Sequence, residues 1–289
     1  MTGVEVNPGG DMAVTITPIT PDIGVEVNGI SGLGFVDQAV ADQAQALLDA
    51  HGVVVYRGAN INDEELIGFS RLLGEVHTFP SAKDAEHPEL SVVSLDPEVS
   101  KVAAVQRATF LWHIDGTMDE YPHRITLLTC LAPAADGSGD TEFANTYAAY
   151  DALPAEDKAA LEGLEVHYSY LNRAYQERRD MSAEALERYK KMQPRDRRVV
   201  WAHRTGRKSM LLGSTAGEVL GWTLDDGEAL LKRLLEWSTQ PRFTMRHHWE
   251  RGDLVLWDNT GILHRALPYE AGSGRLMHRT TIEGVETAL

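Results

Sequence analysis

Apolar and polar positions change period several times along this chain. Val14-Thr-Ile-Thr-Pro18 and Gly24-Val-Glu-Val27 alternate, which predicts two strands. From about Gln38 to Ala50 the apolar residues Val40, Ala44, Leu47 and Leu48 recur at helical spacing. The unbroken run Val53-Val-Val-Tyr56, closed by Arg57-Gly58, predicts a buried strand. Asn62 with Glu65 three positions on forms a capping box for a second helix, whose stripe is Leu66, Phe69 and Leu73. Short strands then dominate: Ser91 to Leu95, Ile125 to Cys130, Glu165 to Tyr170, Arg198 to Ala202 and Ser209 to Leu212. Phe243 to Trp249, Leu254 to Trp257 and Arg275 to Glu283 complete the set. Helices are predicted near Ala155–Leu161, Ala183–Met192 and Asp226–Trp237, the last with Leu230, Leu231, Leu234 and Leu235 on one side.

Many short strands, Gly-rich turns and a few covering helices predict a mixed but β-rich fold, a jelly roll with flanking α-helices. With 289 residues, 43% of them hydrophobic, the chain can bury a full core. No linker and no internal repeat divides it, so residues 12–289 are expected to form one domain behind a loose tail over residues 1–11, which carries Pro8-Gly9-Gly10. The net charge of −16 argues against nucleic acid as a partner. Arg195-Asp-Arg197-Arg198 is short and interrupted by acid, and it reads as a solvated surface turn. The chain starts with no signal segment, and its apolar runs are too short for a membrane span. Its one cysteine, Cys130, sits among apolar neighbours and excludes an internal disulfide. A cytoplasmic location is the expectation.

Among 11 histidines there are three H-x-[DE] triplets, and such short patterns arise by chance. His87-Pro88-Glu89 is broken by proline in a polar stretch, and His248-Trp249-Glu250 reads as part of an outward-alternating strand. His113-Ile114-Asp115 is different. If extended, it puts both side chains on one face with Ile114 turned into the wall, and a strand-rich stretch leads on to His264. Two imidazoles and one carboxylate make the facial triad that leaves positions open on non-haem Fe(II). The plainer reading of each histidine is a structural one, bonded to a neighbouring carboxylate. Arg275-Leu-Met277-His-Arg279-Thr-Thr281 alternates, placing Arg275, Met277, Arg279 and Thr281 on one face. Two arginines inside a barrel are costly unless anions meet them; an exposed edge strand is the alternative.

Four segments carry a specific resemblance: Trp112-His-Ile-Asp115, Gly139-Asp-Thr-Glu-Phe-Ala144, Asp253-Leu-Val-Leu-Trp-Asp-Asn259, and His264 through Arg279. From about Val14 to Gly284 the chain resembles the TauD/TfdA family of Fe(II)/2-oxoglutarate dioxygenases. It is closer to the TfdA-like, aryloxyalkanoate dioxygenase-like branch than to taurine dioxygenase. The resemblance implies a double-stranded β-helix with Fe(II) on the catalytic ligands His113, Asp115 and His264. It places 2-oxoglutarate on Thr141 and on Arg275, eleven positions after the distal histidine, and an anionic substrate group on Arg279. The implied reaction uses O2, releases succinate and CO2, and hydroxylates an unactivated C–H bond of a small, carboxylate-bearing, partly apolar molecule; ether cleavage is a further outcome. Halogenases of related type lack the carboxylate that this chain keeps at Asp115. Segments flanking the mouth in relatives carry Phe79, Thr109, Phe110, Tyr170 and Leu171 here, although core packing explains the aromatics equally well. The chain departs from the family at three places. Phe79 stands where taurine enzymes have a sulfonate-binding histidine, Trp201-Ala-His-Arg204 replaces a T-H-P segment, and Thr215 replaces a histidine of the TfdA-like branch. The expected partner is a small molecule, without membrane or nucleic acid, and the resemblance is compatible with a homo-oligomer. A zinc-dependent hydrolase and a non-catalytic metal-binding sensor of a small acid are the alternatives.

Overall fold

The computed structural model describes residues 14–79, 86–172 and 183–288; the expected tail over residues 1–11 lies outside them. The chain begins with strands β1 (Thr15–Pro18), β2 (Val25–Asn28), β3 (Val53–Tyr56), β4 (Ser91–Val93) and β5 (Ile125–Ala132). Strands β6 (Thr141–Asn145), β7 (Glu165–Tyr168), β8 (Arg195–Arg198), β9 (Val200–Ala202) and β10 (Lys208–Met210) follow. The C-terminal part adds β11 (Ala216–Val219), β12 (Thr244–His247), β13 (Leu254–Asp258), β14 (Ile262–Ala266) and β15 (Leu276–Ile282). Among the described residues the major sheet runs β1-β2-β3-β13-β5-β15-β4, and the sheet opposite it runs β12-β6-β14. Small sheets β11-β7-β8 and β10-β9 complete the fold.

The unbroken apolar run of β3 follows from burial on both faces of the major sheet. Val53 and Val55 point inward with Leu128, Val255, Trp257 and Met277, where they meet Phe143, Met245 and Ile262 of the smaller sheet. Val54 and Tyr56 point the other way with Leu127, Leu254 and Leu256. There they pack under helices Gln38–His51 and Asp63–Leu73 through Ala44, Leu48, Leu66 and Phe69. The capping box is made as the sequence predicts, with the Glu65 amide donating to Asn62 Oδ1 and the Asn62 amide to Glu65 Oε2, each at 2.9 Å. A third cluster gathers around Trp201, Tyr168 and helix Leu224–Ser238. Among the described residues no helix is long and apolar enough to cross a membrane.

Three expectations change. Arg195–Arg198 is not a solvated turn but strand β8, paired with β7. Arg197 is only 3% exposed and donates to the carbonyls of Thr117, Asp119 and Glu120, while Arg195 Nε donates to the Met118 carbonyl. Basic residues can lie inside when an irregular loop offers several carbonyls. Trp112–Asp115 is not a strand either, since only His113 is bridged. The predicted strands pass from Leu254–Trp257 to Arg275–Glu283, yet His264 sits within a further strand, β14; Asp258-Asn259-Thr260 makes the turn, and the chain then re-enters the smaller sheet.

Asp253, 1% exposed, accepts from Arg57 Nη1 at 2.6 Å and the Glu250 amide at 3.0 Å, with His247 Nε2 at 3.2 Å. Burial alone would raise its pKa, but the contacts with His247, the Glu250 amide and Arg57 lower it. Removing the carboxylate leaves buried partners unpaired, so Asp253→Ala should lower stability by about 3 kcal/mol in urea unfolding. A folded-state pKa below the unfolded value of ~3.9 stabilises above that value and is lost as the pH falls. The stability difference between wild type and variant should therefore shrink in acid; a difference that grows in acid would refute the account.

Candidate active site

The centre of the fold is a two-bond bridge between distant segments. The His113 amide donates to the His264 carbonyl at 3.0 Å, and the His264 amide returns a bond to the His113 carbonyl at 2.9 Å. The two rings lie with centroids 4.2 Å apart. The His113 side carries no strand of its own, so neighbours must hold it. Ile114 anchors it in the Trp201 cluster, and the Ser214 amide donates to the Trp112 carbonyl at 2.8 Å. Gly213 backs the segment so closely that a Cβ there would lie 2.8 Å from the Trp112 carbonyl oxygen and 3.0 Å from His113 Cα. Its φ of +114° also favours glycine. The His113 Nδ1 lies 2.8 Å from the Leu111 carbonyl. A carbonyl only accepts, so Nδ1 carries the proton and Nε2 keeps its lone pair.

Asp115 follows in a turn, with Oδ1 3.9 Å from His113 Nε2 and Oδ2 3.7 Å from His264 Nε2. One donor atom from each of these residues lies within 4.8 Å of the other two, a set that could hold a metal ion. Oδ2 also accepts from Thr126 Oγ1 at 3.0 Å and from Arg279 Nη1 at 3.4 Å. Thr126 is itself fixed: Asn259 Nδ2 donates to its oxygen at 2.8 Å, and Trp257 Nε1 donates to Asn259 Oδ1 at 2.9 Å. Burial would raise the Asp115 pKa, yet the positive field of Arg279 and the imidazoles of His264 and His113 holds it well below the usual carboxylate range. An ionised carboxylate beside two imidazoles is the protonation state that a divalent ion requires.

Thr141 and His264 occupy the same face, since Phe143 pairs with His264 and Thr141 with Ala266 in the β6–β14 register. Trp249 Nε1 donates to Thr141 Oγ1 at 3.0 Å, which leaves the hydroxyl proton free to be given to a ligand. Arg275 is 3% exposed; its Nε donates to the Gly139 carbonyl at 3.1 Å, and its guanidinium lies 4.6 Å from the Tyr269 ring centroid. Burial lowers its pKa, and among the described residues no carboxylate forms an ion pair with it. A buried cation without an anion fits an acidic ligand. Gly139 permits the approach, because a Cβ there would lie 2.8 Å from Arg275 Cδ.

The expected substrate residues separate into groups. Arg279 lies 5.3 Å from the Phe79 ring centroid and reaches Asp115, so these two belong to the metal cluster's surroundings. Phe110 meets Tyr269 edge-on at 5.8 Å, which joins it to the Arg275 side. Thr109 Oγ1 donates to its own turn at the Gln106 carbonyl, 2.7 Å away, so its hydroxyl proton is already engaged. Tyr170 stacks on Tyr189 at 5.3 Å and packs against the Trp201 cluster. Sequence reasoning missed Thr126, Arg195 and Arg197. It singled out the segment containing Trp257 and Asn259 without assigning either a contact to Asp115. A separate cavity of about 450 Å³ lies away from the metal cluster, between helix Gln38–His51 and residues 284–286.

A β-rich fold with two imidazoles and a carboxylate converging inside it, beside a buried unpaired arginine, defines the class of metal-dependent jelly-roll oxygenases. Residues 15–281 match the family model "Taurine catabolism dioxygenase TauD, TfdA family", and the chain belongs to that family. It is an α-ketoglutarate-dependent dioxygenase, an oxidoreductase. The α-ketoglutarate-dependent 2,4-dichlorophenoxyacetate dioxygenase of Cupriavidus pinatubonensis is 33% identical over 93% of this chain and 98% of its own length. The α-ketoglutarate-dependent sulfate ester dioxygenase of Pseudomonas putida is 31% identical over 94% of this chain and 90% of its own. The crystal structure of AAD-2 in complex with Mn(II) and N-oxalylglycine superposes with a TM-score of 0.80 at 28% identity, covering 96% of this chain and 100% of AAD-2. The family excludes the zinc-hydrolase and sensor readings and bears out the TfdA-like resemblance.

The contact from Thr126 to Asp115 can be tested without touching a candidate ligand. Thr126→Val should weaken Mn(II) binding about 10- to 100-fold, read by anaerobic calorimetry or by the EPR signal of free Mn(II). Unchanged affinity in a folded variant would show that the hydroxyl does not orient Asp115.

Proposed function

We propose that this protein hydroxylates an unactivated C–H bond of a small, partly apolar molecule that carries an anionic group, most simply a carboxylate. His113, Asp115 and His264 hold Fe(II), Thr141 and Arg275 hold 2-oxoglutarate, and Arg279 receives the substrate anion. The observation that carries the substrate class is Arg279, a partly exposed guanidinium beside Asp115 and over the Phe79 ring, whose buried Nε has no hydrogen-bond partner among the described residues. A guanidinium held so close to a metal ligand can place a substrate anion near the reacting centre, and Phe79 offers an apolar surface to the adjoining part of the molecule. Relatives named for aryloxy acids, including the (S)-phenoxypropionate/alpha-ketoglutarate-dioxygenase of Sphingobium herbicidovorans at 29% identity, support an aryloxyalkanoate-like ligand.

When bound, the iron supplies O2 activation coupled to oxidative decarboxylation of 2-oxoglutarate to succinate and CO2. The protein's part is placement and charge. Arg275 neutralises the far carboxylate of the co-substrate in a buried setting, where a bidentate pair is strong. Thr141, with its oxygen already accepting from Trp249, donates its proton to the same ligand. Asp115 stays ionised, because Arg279 and Thr126 stabilise the charged form. Its retention favours hydroxylation over halogenation.

Anaerobic addition of Fe(II) and then 2-oxoglutarate should give a weak visible charge-transfer band that is lost in His264→Ala and Arg275→Ala. No band from folded, iron-loaded protein would remove the proposed co-substrate site. Asp115→Ala should abolish substrate-coupled succinate formation. For an aryloxy acid, Arg279→Gln should raise KM about 10- to 100-fold, the loss expected for a hydrogen bond to a charged group. KM for 2-oxoglutarate should change far less, and equal effects on both would refute the role of Arg279.

A further inference from the structure

A second cluster of metal-ligating side chains lies outside the site just described. His77, His123 and Glu283 each offer a donor atom, all within 4.8 Å of one another. His77 Nδ1 is 2.8 Å from Glu283 Oε1, and the His77 and His123 ring centroids are 4.8 Å apart. His123 is buried, with Nδ1 lacking a hydrogen-bond partner among the described residues and Nε2 3.4 Å from Asp119 Oδ2. Hydrogen bonding therefore does not account for Nδ1 of this imidazole, while two nitrogens and a carboxylate are a common zinc donor set. Ligands of one zinc ion lie roughly 3 Å apart, so small rotations would bring these side chains into range.

We propose that His77, His123 and Glu283 form a second divalent-metal site, of the zinc class, with Asp119 or water completing the shell. Its placement gives it a task. His77 is two residues before Phe79, Glu283 follows strand β15 that carries Arg279, and His123 closes the loop that begins at Asp115. The segments already touch: the His77 amide donates to the Thr281 carbonyl, and the Glu283 amide to the Glu75 carbonyl, each at 2.8 Å. Gly116, next to Asp115, packs on His123 so tightly that a Cβ would lie 2.7 Å from its Cγ. An ion here staples the three segments bearing Phe79, Asp115 and Arg279. The assignment does not depend on the proposed substrate.

The test is zinc stoichiometry of the chelator-treated full chain, by equilibrium dialysis and elemental analysis, with Co(II) absorption as a second readout. Wild type should bind two equivalents, and His264→Ala should keep one. Adding Glu283→Gln to His264→Ala should remove that equivalent or weaken it at least tenfold. Zinc should raise the Tm of His264→Ala but not that of the double variant. Glu283→Gln is nearly isosteric at a partly exposed position, so circular dichroism can verify its fold; His77→Ala is the second variant. One equivalent in wild type with none in His264→Ala would overturn the proposal. So would a second equivalent that survives unweakened in both Glu283→Gln and His77→Ala, because the zinc would then sit elsewhere.

Discussion

The reciprocal backbone pair between His113 and His264 is the constraint on which the site depends. Two amide–carbonyl bonds contribute only about 1 kcal/mol each in net terms, too little to hold an irregular segment against its own conformational entropy. The rest comes from what stands on either side. Strand β14 is fixed along its other edge by β6, and His113 is pinned by Gly213, the Ser214 amide and buried Ile114. The loop after Asp115 is then held by Arg195 and Arg197, whose guanidiniums collect four of its carbonyls. A metal site made from a turn is in this way given the rigidity of a sheet.

An acidic chain has few cations to place, and this one puts several where desolvation is severe. Arg57 answers Asp253, Arg197 answers backbone carbonyls, and Arg279 answers Asp115. Arg275 is the exception, since among the described residues no carboxylate pairs with it, and it leans on the Gly139 carbonyl and on Tyr269 instead. Burial already pulls its pKa down. Such a residue destabilises the ligand-free fold relative to one with a carboxylate partner, and the deficit is recovered when an anion arrives. The arginine that fits least well as a structural residue is the one best suited to a dicarboxylate.

Much of this was legible in the residues. The alternation set the common face of Met277, Arg279 and Thr281 correctly, because period two survives within a paired strand, while Arg275 precedes the strand and a register shift falls between Leu276 and Met277. The β15 partners Cys130, Leu128 and Thr126 confirm it. His113, Asp115 and His264 were legible because the metal-ligand chemistry restricts residue type. The misreadings share one cause: the contacts of single side chains leave no period. Arg195–Arg198 looked solvated because a charge run carries no sign of the loop carbonyls that receive it. Thr126 and Asn259 lie in segments whose pattern speaks only of strand and turn, and their bond to each other spans 133 positions. Thr109 and Phe110 were grouped by the place of their segment in relatives, yet one hydroxyl closes its own turn while the neighbouring ring reaches Tyr269.

If Arg279 receives the substrate anion as proposed, its contact with Asp115 would tie substrate choice to the charge around the metal. Asp115 Oδ2 accepts from a threonine hydroxyl and a guanidinium, and on the proposed reading the same carboxylate would also serve the metal, so the three would compete for its electron density. A substrate anion that engages Arg279 draws its positive charge away from the carboxylate, which then donates more fully to the metal. A neutral molecule of the same shape leaves Arg279 on Asp115 and makes no such change. Discrimination at this site therefore does not rest on pocket shape alone. On the proposed reading, the anionic group would be recognised through a residue that also sets the electrostatics around Asp115, so binding the right class of molecule and preparing the metal would be one event.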